Sequence, residues 1–283
     1  MTVDAILANP ALGPCIRGQA RLLLMAHEAS PRTASPFATQ QRWLMSHAAL
    51  ALYFRNETTS PGSGLLGERF IEKVASLGLA SRNTASAFLK EMLKYGIVRH
   101  VAGSEGKRYR PFEPAPATLA AFGNWLVLHL MTLDGLDGGS RAVSFMAEPK
   151  YIAAIQPRVA DGLLASREVR EPNGTFSLFT WVDDGGLVMD RLIAGGAAGV
   201  VGLARIPTTI KSISSLAKGL NLSRTQLSRK VAVAEAMGSL GWSGVRGKSP
   251  LWLSANFQRE YHTAQAIKLA IIDVAFAACC APA

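Results

Sequence analysis

The clearest pattern of apolar and polar positions lies in Leu216–Phe257, where it predicts helix, turn, helix and hairpin in that order. Leu216, Ala217 and Leu220 share one face of a short helix, and Gly219, Leu220 and Asn221 supply a tight turn. Ser223 is a favourable N-cap for a second helix, and Gln226 three positions on completes a capping box. Within that helix Leu227, Val231 and Ala234 recur at core spacing, and Gly238 stops it. Leu240 and Trp242, a tip containing glycine and lysine, and then Leu251, Trp252 and Leu253 predict a β-hairpin.

The upstream half carries the same order. Helical spacing predicts Ile16–Ala29, Thr39–Phe54 and Leu65–Leu77, separated by a Pro/Ser break at Ser30–Pro36 and a loop at Asn56–Gly64. Val74–Gly96 aligns with Leu216–Gly238 at an offset of 142, matching Ala75 to Ala217, Ser81 to Ser223, Arg82 to Arg224, Ser86 to Ser228 and Gly96 to Gly238. A second hairpin is predicted from Ile97, with Lys107, Arg108 and Arg110 on its tip and return strand. A long apolar helix follows each hairpin, Ala117–Leu133 and Phe257–Cys279. Further upstream Trp43 pairs with Trp181 at an offset of 138, and Ile16 and Leu24 pair with Ile155 and Leu163 at 139. The chain reads as a tandem duplication with a period of about 140 residues. The repeats are 1–140 and 141–283, joined at Asp134–Ser140, which by composition is a flexible polar linker. In the second half Val143–Arg170 is helical, Glu171–Gly174 a turn, Ser177–Ile193 the partner of the Trp43 helix, and Ala194–Gly202 a Gly-rich connector. That connector lacks the Gly-Lys-Ser/Thr of a phosphate loop.

The polar face of the second predicted helix presents Arg224, Thr225, Ser228 and Arg229. Short hydroxyls and arginines are what a DNA groove takes, for base edges and for phosphates. Through the LAKGLNLSRTQLSR run and the basic hairpin, Leu216–Phe257 resembles the winged helix-turn-helix domains of bacterial transcription regulators. The resemblance implies a mainly α fold with small β-hairpin wings, arranged as tandem winged helix-turn-helix repeats at 74–112 and 216–253. It also implies sequence-specific binding to double-stranded DNA. Plasmid-type replication initiators, which resemble paired winged helices, and winged-helix protein-interaction scaffolds are the alternative readings.

Charge sharpens this picture. The chain carries 30 Lys and Arg against 20 Asp and Glu, a net +10. Segment 74–112 holds seven basic and two acidic side chains, and 216–253 holds six and one, so each nets +5 and the remainder nets zero. Excess charge confined to two such segments is the footprint of a polyanion partner. It weighs against the scaffold reading, whose wings need no charge. A membrane patch would sit on a basic amphipathic helix with exposed large apolar residues, and the pattern contains none.

Other chemistry is poorly represented. Cys15, Cys279 and Cys280 have neither zinc-ligand spacing nor an even count, which suits a reducing cytoplasm. The N-terminus has no signal-peptide pattern, and the apolar stretches read as buried soluble helices. His27, His47, His100, His129 and His262 form no metal motif, and His129 reads as a core or interface residue. Asp183–Asp184, the one adjacent carboxylate pair, precedes two glycines and reads as a solvated turn. The expectation is a non-enzymatic, cytoplasmic DNA-binding regulator without cofactor, metal or catalytic residue. Its DNA-binding residues are Arg82, Asn83, Thr84, Ser86, Lys107, Arg108 and Arg110 in the first repeat. In the second they are Ser223, Arg224, Thr225, Gln226, Ser228, Arg229, Arg246 and Lys248. The first repeat has Ala87 and Phe88 where the second has Arg229 and Lys230, which leaves it suited to gripping phosphates. The two long helices, apolar nearly all round, must be buried, either together as a pseudo-dimer or against a second chain. A homodimer and an unidentified small-molecule effector fit the same reading.

Overall fold

The computed structural model describes residues 1–29, 39–106, 109–197 and 203–280. They form a mainly helical protein with two small antiparallel sheets. In chain order the first half contains α1 (Val3–Leu7), α2 (Leu12–Ala29), α3 (Gln40–Thr59), α4 (Gly67–Ser76), α5 (Arg82–Lys94), β1 (Val98–His100), β2 (Phe112–Pro114) and α6 (Pro116–Asp137). The second half contains α7 (Arg141–Ala147), a 3-10 turn at Pro149–Tyr151, α8 (Ile152–Ala165), α9 (Arg167–Arg170), α10 (Gly174–Thr180) and α11 (Gly185–Gly195). It continues through β3 (Arg205–Pro207), α12 (Ile213–Leu216), α13 (Arg224–Ala236), β4 (Leu240–Trp242) and β5 (Leu251–Ser254) to α14 (Ala255–Cys280).

The chain divides into two compact units that cut across the repeats. One gathers Met1–Thr39, Gly135–Gly139 and Glu171–Ala270; the other gathers Gln40–Asp134, Ser140–Arg170 and Ile271–Ala283. In the first unit, α2 from the first repeat packs on α11 from the second, burying Ile16 and Ala20 with Val188, Leu192 and Ile193. The core continues through Leu216, Leu227, Val231, Leu251 and Leu253 to Phe257 and Tyr261 of α14. In the second unit, α8 from the second repeat packs on α3 from the first, burying Ile155, Val159 and Leu163 with Leu44, Ala48 and Ala51. Phe70, Val74, Phe88, Leu89, Leu126 and Leu130 complete that core. Each unit therefore pairs a helix of one repeat with the hairpin-bearing segment of the other.

The repeat seam is an ordered joint instead of a flexible linker. Helix α6 runs to Asp137, and the Asp134 carboxylate accepts the backbone N–H groups of Arg141 and Ala142, both at 2.9 Å. Those bonds supply the N-terminal acceptors of α7, and Leu136 is buried, so the DGLDGGS composition misleads. Ser177–Ile193 is likewise broken. Asp184 takes a left-handed conformation (φ 53°) between α10 and α11, and the ring of Trp181 is left 49% exposed, whereas Trp43 packs against His47 and Trp125.

The hairpins form where expected. β1 pairs with β2, and Leu65 forms one further bridge to Phe112. In the second repeat β5 lies between β4 and β3, a strand that the sequence pattern does not announce. Gly241 leaves room for the Trp252 ring, which would lie 2.5 Å from a Cβ there. The long helices α6 and α14 are apolar and long enough to cross a membrane by length and composition alone. They are not buried all round. Each lays down a buried stripe, Leu126, Leu130 and Leu133 on α6 and Leu269, Ile272 and Phe276 on α14, while Met131 and Val274 stay exposed. His129 is fully buried, its Nδ1 2.7 Å from the carbonyl oxygen of Trp125.

Candidate nucleic-acid interface

Helix α13 begins as its sequence dictates. The Ser223 hydroxyl accepts the Gln226 N–H at 3.1 Å, and the Gln226 side chain accepts the Ser223 N–H at 3.4 Å. The first turn is thus capped, and the Ser223 hydroxyl and the Gln226 Oε1, on two exposed residues, are engaged with backbone. Leu227, Val231 and Ala234 face the core and Gly238 ends the helix at φ 69°, as the pattern requires. The preceding helix lies earlier than expected. It is α12, ending at Leu216, and 217–222 is turn, with Gly219 at φ 72°. A second capping box at Ser212 and Ser215 starts it early, and Arg191 bonds the carbonyls of Leu216, its last residue, and of Lys218 in the turn that follows.

Arg224, Thr225, Ser228 and Arg229 of α13 have no side-chain partner among the described residues. Together with Ile213, Ala232 and Arg246 they line an open concavity of about 530 Å³. Arg246 comes from the tip of the β4–β5 hairpin, where its guanidinium holds Glu235 at 3.0 Å. That ion pair ties the hairpin tip to α13. Arg224 and Arg229 are exposed and, among the described residues, have no carboxylate partner. Lys248 and Val245 are exposed on the same hairpin tip, Val245 by 64%.

The first repeat builds the matching elements with a different charge balance. The Ser81 hydroxyl caps α5 by accepting the Thr84 N–H at 3.1 Å, and the two hydroxyls lie 2.9 Å apart, so Thr84 is engaged locally. Arg82 is paired with Glu68 of α4. Arg99 bonds Glu113 across the hairpin at 2.8 Å, and Arg42 grips Glu91 with two nitrogens at 3.0 and 2.8 Å. Asn83 and Arg110 are exposed, and Ser86 is half-buried. Lys107 and Arg108 lie outside the described residues. The net charge read from the sequence is therefore largely compensated at Arg82 and Arg99, while the second repeat keeps its two helix arginines free.

Sequence reading missed the residues that hold this site from behind. Asp184 is 2% exposed, so it is not a solvated turn, and its carboxylate accepts the Asn221 N–H at 2.6 Å. Gly185 beside it has no room for a side chain, since a Cβ would lie 1.7 Å from the Phe179 carbonyl oxygen. The only available signal was the DDGG run itself, which has the composition of an exposed turn. Among the described residues no cluster of His, Cys, Asp or Glu has the geometry to hold a metal ion. No family model, no curated protein and no solved structure matches the chain.

Proposed function

We propose that this protein is a sequence-specific double-stranded DNA-binding regulator whose two repeats are winged helix-turn-helix units with unequal roles. The observation that carries the reading is the α13 face. Two unpaired arginines and two hydroxyls line one open concavity with a hairpin arginine, on a segment of net charge +5. A helix fits the major groove, where Arg224 and Arg229 suit guanine edges or phosphates, and Thr225 and Ser228 suit either base edges or phosphates. Arg246 and Lys248 on the hairpin reach the adjacent backbone. In the first repeat the pairing of Arg82 with Glu68 and the apolar Ala87 and Phe88 favour phosphate contacts through Arg110, Lys90 and Lys94 over base reading.

The test is selection from a pool of short duplexes with a randomised centre, followed by titration of the enriched sequence. The double variant Arg224→Ala, Arg229→Ala should weaken binding by about 1–3 kcal/mol for each base-reading arginine removed. Its thermal unfolding should be unchanged, because both side chains are exposed. No enrichment of any sequence, or unchanged affinity of the double variant, overturns the reading.

A further inference from the structure

The turn that aims α13 is gripped from outside its own helices. Between Leu216 and Ser223 only Leu216 and Leu222 are buried, so little apolar packing locates this segment. Four of its backbone groups are instead bound by side chains. One nitrogen of Arg191, on α11, lies 2.7 Å from both the Leu216 and the Lys218 carbonyl oxygens. His27, at the end of α2, places Nε2 3.2 Å from the Gly219 carbonyl oxygen. Asp184 accepts the Asn221 N–H, two residues before the cap of α13. Asp184 is also the one non-glycine with positive φ among the described residues, a strained conformation that persists only where surrounding contacts over-determine it.

The first repeat holds its corresponding turn more loosely. Gln41 of α3 donates a neutral amide N–H to the Leu79 carbonyl oxygen at 2.8 Å, and Arg170 of α9 reaches the Leu77 carbonyl oxygen only at 3.5 Å. In both units, one of the bonds to the turn comes from the other repeat, His27 in one and Arg170 in the other. Among the described residues the shorter and more numerous bonds from charged side chains lie behind the helix with the free arginines. Hydrogen bonds to charged groups are the stronger ones, and fixing a binding surface in advance lowers the entropy cost of association.

We propose that Asp184, Arg191 and His27 are the positioning residues of this DNA interface. They preset the angle at which α13 presents Arg224, Thr225, Ser228 and Arg229, without touching DNA themselves. The inference rests on the DNA-binding reading above. It makes a helix of the first repeat part of the second repeat's reading machinery.

The test compares three variants on the sequence enriched from the randomised duplex pool. Asp184→Gly removes the acceptor and suits the positive φ, so the fold persists while the turn is released. Asp184→Asn keeps an acceptor oxygen and tolerates that backbone conformation. Arg191→Met keeps the apolar stem and removes both carbonyl bonds. Asp184→Gly and Arg191→Met should each bind the selected duplex roughly tenfold more weakly, the effect of one charge-assisted hydrogen bond. Asp184→Asn should bind within about threefold of the wild type. Hydrogen exchange of the Asn221 amide should speed up in Asp184→Gly and recover in Asp184→Asn. Wild-type affinity and selectivity in both Asp184→Gly and Arg191→Met, while Arg224→Ala with Arg229→Ala weakens binding, overturns the positioning role and leaves the DNA reading standing. If that arginine double variant also binds normally, the DNA reading falls and the positioning role falls with it.

Discussion

Replacing Arg141 probes what holds the repeat seam together. Its Nε donates to Asp273 at 2.7 Å and its Nη1 to Asp134 at 3.2 Å, and the three side chains are only 16, 9 and 15% exposed. Arg141→Met keeps most of the stem but removes the guanidinium that both carboxylates hold. Removing one partner of a buried ion pair costs about 3–5 kcal/mol. Asp134 retains two backbone donors, so the lower end, about 3 kcal/mol, is expected here. The exposed pair Lys150–Glu148, screened by solvent, should contribute far less and serves as the control, through Lys150→Met. Urea unfolding at neutral pH measures both differences. A deficit no larger than that of Lys150→Met would refute the assignment of Arg141 as the joint.

Other consequences follow from the same structure. Gly185→Ala should destabilise the first unit by several kcal/mol, on the order of the largest single-residue effects, because its Cβ meets backbone 1.7 Å away and no side chain can yield; a loss under about 1 kcal/mol in thermal unfolding contradicts the geometry. Burial pushes the Asp190 carboxyl up to about 6 against the Tyr261 hydroxyl bond and the nearby Lys268. A raised carboxyl contributes stability that is present below its unfolded value and lost as pH rises through the folded one. Asp190→Asn should therefore gain on the wild type between about pH 4 and 7, by up to about 3 kcal/mol, and a pH-independent difference would exclude that role for Asp190. His262, drawn down to about 4 by burial and by Arg17, works in the opposite sense, its stability lost as pH falls through that value. Asp190→Asn should accordingly leave a steeper decline of stability below about pH 6 than the wild type shows.

Much of this protein is local and legible without a structure. Ser81 and Ser223 cap their helices because a short hydroxyl reaches the backbone N–H three residues on, and Gln226 reaches back to the Ser223 N–H, whatever the rest of the chain does. Gly96 and Gly238 end those helices because left-handed backbone favours glycine. The free arginines of α13 follow from helical periodicity, since residues that avoid the Leu227–Val231–Ala234 stripe must face outward. Only the tertiary structure decided which partners those elements take. The apolar faces of α2 and α8 carry similar patterns, Ile16 and Leu24 against Ile155 and Leu163, so nothing in the pattern says that α2 packs on α11 and α8 on α3; the tertiary structure chooses. Charge behaves in the same way. Summing lysines and arginines counts Arg82 and Arg224 alike, but Arg82 meets Glu68 from a neighbouring helix while Arg224 meets none, and a composition contains no distances. Asp184 is the sharpest case. Flanked by an aspartate and two glycines it looks exposed, yet the fold closes over it and gives its carboxylate the Asn221 amide, a bond across 37 residues that periodicity and propensity cannot register.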